Sequence, residues 1–316
     1  MNVDFEEFVA GIVENNAERL GIDLDLSSIR LFERPGFKDA VADASSIFFV
    51  DGKNRKNDIT LILSNKDFPE TVRSACELAI SVHQRLDANE QRHVLVPLLE
   101  GVYDGQSYAV FPRLESFSKN KALRFAQKRF LQPKIADWLA ALAVQTTTYC
   151  DTPKEVERAF IEPFEYLAEE IKLPNAIRKF SETYLSADIG TRFQLFTTVH
   201  HGDFWSGNIL STRGAFPGFG FLTGDFRIID WGTARLDGFP CIDIIRFANS
   251  SNRNTKAAGQ IVRNYADAIE ISHEEVALYA MASLGRLGLD RDQFPKSRFL
   301  AMTERIFDFL CVNDFA

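Results

Sequence analysis

Several things are missing from this chain, and each absence excludes something. There is no C-x-x-C pair: Cys76, Cys150, Cys241 and Cys311 lie far apart in 316 residues. A structural zinc site and a redox dithiol are therefore not suggested, and reduced core thiols are expected. No run of about 18 apolar residues occurs, so no membrane span is expected. The N-terminal stretch Met1-Asn2-Val3-Asp4-Phe5-Glu6-Glu7 is acidic and has no apolar signal-peptide core, which points to a cytoplasmic protein. Positive charge is scarce: 36 Lys+Arg stand against 44 Asp+Glu, a net charge of −8. A general nucleic-acid or anionic-membrane role is disfavoured, although a local basic pocket for phosphates is not excluded. No G-x-G-x-x-G, internal repeat or low-complexity linker is present.

What remains is the composition of a folded protein, 46% hydrophobic and 25% charged, with length for two cores. Phe5, Phe8, Ile12 and Val13 recur at helical spacing and predict an amphipathic helix ending near Gly21. Strand patterns follow at Ile29–Phe32, Ser46–Val50 and Ile59–Leu63. Asp67, with Pro69 and Glu70 behind it, predicts a capping box opening a helix to Leu86. Val94–Leu99 and Ser107–Phe111 read as strands around an Asp104-Gly105 turn. Residues 119–187 read as mostly helical, and a short β segment leads to His201. Ile209-Leu210 and Ile228-Ile229 read as a paired hairpin, joined by a Gly- and Phe-rich connector. Helices are expected at Ile242–Phe247, Ala257–Ile269, Glu274–Leu284 and Phe299–Leu310. The strand-rich and helical regions divide near residue 113, giving expected domains 1–112 and 113–316.

The informative segment is His201-Gly202-Asp203-Phe204-Trp205-Ser206-Gly207-Asn208, followed by Ile228-Ile229-Asp230-Trp231. An Asp, an Asn five positions on and a second Asp closing a short strand suit phosphoryl transfer. That transition state carries dispersed negative charge, so catalysis is mostly positioning and electrostatics. Asp203 would accept a hydrogen bond from an acceptor hydroxyl and take its proton late. Asn208 and Asp230 would offer oxygen ligands to Mg²⁺, which keeps waters and needs few protein ligands. The bland alternative is a core histidine followed by turn residues.

The His201–Asn208 segment with Ile229-Asp230-Trp231 resembles the aminoglycoside phosphotransferase and choline kinase superfamily, whose catalytic loop reads H-G-D-x-x-x-x-N. Gly238-Phe239-Pro240-Cys241-Ile242-Asp243-Ile244 is similar to that family's G-x-P-x-x-D-[IL] stretch. The resemblance implies an α+β, bilobal protein-kinase-like fold. A small N-terminal nucleotide-binding lobe would hold an antiparallel sheet plus helix, and a larger, mainly helical C-terminal lobe would bind the acceptor. It implies ATP or GTP as co-substrate, Mg²⁺, and a small-molecule hydroxyl acceptor. It carries Asp203 over as catalytic base, Asn208 and Asp230 as metal ligands, and Asp243 as a structural carboxylate; His201, next to His200 at the end of a strand, is read from the residues themselves as a buried support of the catalytic loop.

The N-terminal third departs from the family pattern. No lysine ends the third strand, where Ser64 takes the usual place. Lys66 is the substitute nucleotide-binding residue and Glu77 its helix partner, with a solvated lysine and an exposed glutamate as the alternatives. Only Gly36, in Arg34-Pro35-Gly36-Phe37-Lys38, offers a phosphate loop. Trp205 and Trp231 are expected to pack around the catalytic loop, with contact to the acceptor as the alternative. The basic run Lys119, Lys121, Arg124, Lys128 and Arg129 reads as a solvated helix face or a site for an anionic acceptor. Glu162, Glu165, Glu169 and Glu170 read as a surface helix or a site for a cationic one. Phe216, Phe219 and Phe221 in the connector are expected to pack on something. Two functions follow: a small-molecule kinase, or a catalytically weak or silent kinase-like binding module.

Overall fold

Alternating burial defines the sheet, and helical spacing defines what covers it. The computed structural model describes residues 3–32, 45–54, 57–187, 189–212, 219–251, 254–291 and 294–316. The expected phosphate loop around Gly36, and Phe216, lie outside the described residues. In chain order the described elements begin with α1 (Val3–Asn15), α2 (Ala17–Leu20), β1 (Leu24–Leu31), β2 (Ser46–Gly52) and β3 (Ile59–Leu63). Next come α3 (Thr71–Gln84), α4 (Ala88–Gln91), β4 (Leu99–Tyr103), β5 (Gln106–Pro112), β6 (Leu114–Glu115), α5 (Lys121–Gln145) and β7 (Thr148–Tyr149). These lead to α6 (Pro153–Val156), α7 (Glu162–Glu169), α8 (Asn175–Ser186), α9 (Ile189–Arg192), β8 (Phe196–His200) and β9 (Ile209–Thr212). The remainder comprises α10 (Phe219–Thr223), β10 (Arg227–Ile228), β11 (Arg235–Gly238), α11 (Ile242–Ser251), α12 (Thr255–Ala268), α13 (His273–Leu289) and α14 (Lys296–Val312). The fold is α+β: a five-stranded antiparallel sheet with a mostly helical remainder.

The chain divides into two compact units, Met1–Phe130 with Gly207–Thr233, and Leu131–Ser206 with Ala234–Ala316. In the first, the sheet order is β1-β2-β3-β5-β4. Period-two alternation sends Ile59, Leu61 and Leu63 of β3 to one face, where they bury with Phe48, Val50 and Val110 against Val9, Ile12 and Val13 of α1. Ile62, Ala109 and Phe111 point the other way, onto Val72 and Cys76 of α3. Both faces of the sheet thus carry a helix. Asp104 and Gly105 both adopt positive φ, the two-residue geometry that matches strand twist in the β4–β5 hairpin.

Two expectations change here. The helix opens at Thr71 rather than near Asp67, and no capping box forms at Asp67 and Glu70. Asn65 ties that segment into a turn, its side chain accepting the Asp67 N–H at 3.0 Å. The orphan N–H of Arg73 is capped from another strand, by Ser107 Oγ at 3.2 Å, while Glu70 pairs with Arg73 at 2.9 Å. The strand expected at Val94–Leu99 begins only at Leu99, with Pro97 in the interrupted stretch; a proline cannot donate to a ladder.

In the second unit α13 is the central helix, with Val276 through Ala282 wholly buried. Its Gly285 permits close approach: a Cβ there would lie 2.2 Å from the Pro163 carbonyl oxygen of α7. Tyr279 of this helix packs its ring against Phe160 and Phe196, and β8 lies between β11 and β7. No described helix is long and apolar enough to cross a membrane.

Candidate active site

Asn208 and Asp230 belong to the first unit, and strand pairing accounts for where they sit. Ile209 lies opposite Ile228 and Leu210 opposite Arg227 in the β9–β10 pair. One residue beyond, the Ile229 N–H donates to the Asn208 carbonyl at 3.1 Å. The metal-ligand candidates therefore leave the same end of the two strands. On its other side β10 is held by the segment after α4. The Ile228 N–H donates to the His93 carbonyl at 2.7 Å, and the Leu95 N–H donates to the Ile228 carbonyl at 3.1 Å. His93 stacks on Phe226 with ring centroids 3.9 Å apart. Burial holds the His93 imidazole below its ordinary pKa, partly offset by its hydrogen bond to the Phe226 carbonyl.

Asp230 then breaks from strand geometry, with φ of 66°, a left-handed conformation that Asp tolerates better than most side chains. Trp231 anchors the break: it is 2% exposed and its indole N–H donates to the Ile228 carbonyl at 3.1 Å. Asp230 is exposed, whereas Asn208 is buried. An amide oxygen and a carboxylate at adjacent strand ends are hard oxygen donors, the type Mg²⁺ takes. Among the described residues no group of three His, Cys, Asp or Glu could hold a metal alone. A cation here would need further oxygens from a ligand, as a nucleotide's phosphates supply.

Asp203 belongs to the second unit, in the loop that follows β8. Gly202 turns the chain at φ of 79°, a conformation glycine adopts without penalty. Asp243, in the first turn of α11, accepts the backbone N–H of His201 at 2.6 Å and that of Gly202 at 3.1 Å. His201 is fully buried, and its Nδ1 accepts the Asp203 N–H at 3.3 Å. Beneath the loop Phe204 packs between Trp138 and Phe247. Arg246, one turn after Asp243, donates to the Gly202 carbonyl and to Asp203 Oδ1. Sequence reading missed Arg246. The available signal was its position three residues after Asp243 on one helix.

The other candidates are dispersed. Lys66 sits in the turn after β3 with its side chain 73% exposed, 4.0 Å from Asp104. Glu77 is on the exposed face of α3, and no ion pair joins it to Lys66 among the described residues. Ser64, in the lysine's usual place, is buried and donates its hydroxyl to the Pro69 carbonyl at 2.7 Å. Trp231 is buried, whereas Trp205 is 47% exposed, so Trp205 is not packed away as expected. His200 is buried, its Nδ1 has no hydrogen-bond partner among the described residues, and desolvation pushes its pKa down to about 4. Phe221 is buried and stacks on Phe117 at 4.2 Å, which ties the connector back to the segment before α5. Lys119, Lys121, Arg124 and Arg129 are exposed, and Lys128 lies over the Phe117 ring at 5.7 Å. Glu162, Glu165 and Glu169 are exposed along α7, whereas Glu170 is buried and paired with Lys296.

No family model matches the chain, and no curated protein matches it in sequence. Solved structures do match. A candidate fructosamine-3-kinase from Haemophilus somnus 129PT aligns over 98% of this chain and 99% of its own, at 13% identity and a TM-score of 0.53. A thermostable mutant of the aminoglycoside phosphotransferase APH(4)-Ia, in a ternary complex with AMP-PNP and hygromycin B, aligns over 96% of this chain and 98% of its own. Its identity is 12% and its TM-score 0.55. The chain thus shares its fold with these two structures.

Proposed function

We propose that the protein is a small-molecule kinase, transferring the γ-phosphoryl of ATP or GTP to an acceptor hydroxyl. Asp203 accepts the hydroxyl's hydrogen bond, orients its oxygen and takes the proton as the new P–O bond forms. Asn208 and Asp230 would hold Mg²⁺, which would supply electrostatic stabilisation of the charge developing on the transferred phosphoryl group. His201 and Asp243 keep the catalytic loop in shape. The observation that carries this reading is the loop architecture, with Asp243 satisfying two backbone donors beside Asp203. Further support comes from the fold shared with two proteins named for small-molecule phosphate transfer, one of them with AMP-PNP. The acceptor belongs to the class of hydroxyl-bearing small molecules.

A second reading, a silent or weak nucleotide-binding module, draws on the exposure of Lys66 and the missing Lys66–Glu77 pair. On the kinase reading Lys66 and Glu77 are the candidate nucleotide contacts of an N-terminal nucleotide-binding region.

A coupled ADP-release assay across hydroxyl acceptors, with and without Mg²⁺, tests the reading. Magnesium-dependent ADP release that one acceptor accelerates supports the kinase. Magnesium-dependent nucleotide binding with no release under any acceptor supports the module. Absence of nucleotide binding at millimolar ATP rejects both.

A further inference from the structure

The Gly202 peptide unit is held from two directions by one helix. Its N–H donates to Asp243, and its carbonyl accepts from Arg246, which also engages Oδ1 of Asp203. Positions three apart on a helix share a face, so α11 presents both charges to the same loop. The Arg246 side chain is 25% exposed and that of Asp203 37%, so the pair is partly shielded from water. A guanidinium suits the task because its planar fork reaches a carbonyl and a carboxylate together, whereas an ammonium is a point charge.

We propose that Arg246 is a positioning residue for Asp203, an inference that rests on reading Asp203 as the base. Holding Oδ1 fixes the plane of the carboxylate and hence the direction in which Oδ2 meets a hydroxyl. The grip on the Gly202 carbonyl fixes the backbone from which Asp203 projects. Gly202 has no side chain to restrict it, so the loop takes its geometry from these outside contacts. Arg246 acts through Asp203 and touches no reacting atom itself.

The test compares wild type, Arg246→Ala and Arg246→Lys. Because the acceptor is unidentified, turnover is read as magnesium-dependent ATP hydrolysis with water as acceptor. Loop order is read separately by acrylamide quenching of tryptophan fluorescence. Trp205 is 47% exposed whereas Trp138 and Trp231 are each 2% exposed, so quenching reports on the loop. The expected result for Arg246→Ala is a fall in kcat of roughly 10²-fold, the scale of a misplaced group, with KM for ATP unchanged. Quenching should change, and added guanidinium should restore part of the rate. Arg246→Lys should lie nearer to Arg246→Ala than to wild type. An active wild type whose Arg246→Ala variant keeps its kcat overturns the proposal, whatever quenching does. If Asp203→Asn hydrolyses ATP as fast as wild type, the reading of Asp203 as base fails instead. Should wild type bind nucleotide but hydrolyse none, unchanged quenching in Arg246→Ala overturns the hold on the loop, and altered quenching retains it.

Discussion

The carboxylate of Asp243 lies 2.6 Å from the backbone nitrogen of His201, 42 residues earlier in the chain. A helix-borne side chain thereby supplies the hydrogen-bond partner that a strand ending at His200 no longer provides. The same carboxylate takes the Gly202 N–H, so one buried group satisfies two donors.

Removing that group should unfold more than it inactivates. Asp243→Ala is expected to lower stability by about 2–3 kcal/mol, because one buried and one half-buried N–H group lose a charged acceptor. Chemical denaturation read by circular dichroism checks this; an unchanged midpoint would refute the assignment.

Asp203→Ala is expected to act oppositely, sparing the fold and removing turnover. General-base contributions run at ~10²–10⁴-fold, and kcat should fall on that scale while nucleotide KM stays put. Steady-state kinetics with the best acceptor decide it, and equal losses in both parameters would argue for a binding role.

Asp230→Asn should weaken the metal–nucleotide complex as well as turnover. Wild type should gain thermal stability from ATP only when Mg²⁺ is present, since a ligand selective for the native state stabilises it. The variant should lose most of that shift in a thermal-denaturation assay. A full shift in the variant would remove Asp230 from the ligand set.

His200 makes stability pH-dependent. Desolvation is the largest cause of its lowered pKa, about 4; Arg235, Arg286 and His201 lower it further, and Asp243 opposes them. The unfolded imidazole titrates near the ordinary value of about 6.5. Between these values the unfolded chain binds the proton and the folded chain does not. The stabilisation is therefore complete above pH of about 6.5 and lost as pH falls through about 4, to the extent of about 3 kcal/mol. Melts across pH 4 to 7 should show this slope in wild type, and His200→Gln should flatten it. An identical slope in both would assign the effect to other groups.

Gly238→Ala probes the same spot sterically. A Cβ at residue 238 would come within 2.5 Å of the His200 ring, and overpacking of this kind costs about 1–3 kcal/mol. A melting temperature equal to wild type would show that the ring can yield.

Local signals carried well where neighbours in sequence decide the outcome. The β2 and β3 strands, the Asp104-Gly105 hairpin and the four C-terminal helices follow from alternation, turn chemistry and helical spacing. So does the β9–β10 pairing that carries Asn208 and Asp230. The misses share a cause. The capping box at Asp67 and Glu70 is locally sound, but Ser107 from β5 provides the cap instead. The apolar run from Val94 looks like a strand, yet it splits into a parallel bridge to Ile228 and the start of β4. Lys66 lies in strand register on paper, but the chain turns before reaching it.

The amino-acid order by itself determined the groups on offer: the carboxylates of Asp203 and Asp230, the amide of Asn208, their spacing, and the short strands beside them. Only the tertiary structure decided which side chains hold those groups still. Arg246 on Asp203, Asp243 on His201, His93 on β10 and Ser107 on α3 are contacts between residues remote in the chain. A periodic pattern encodes what each segment prefers, whereas such partners arise from the packing of whole segments.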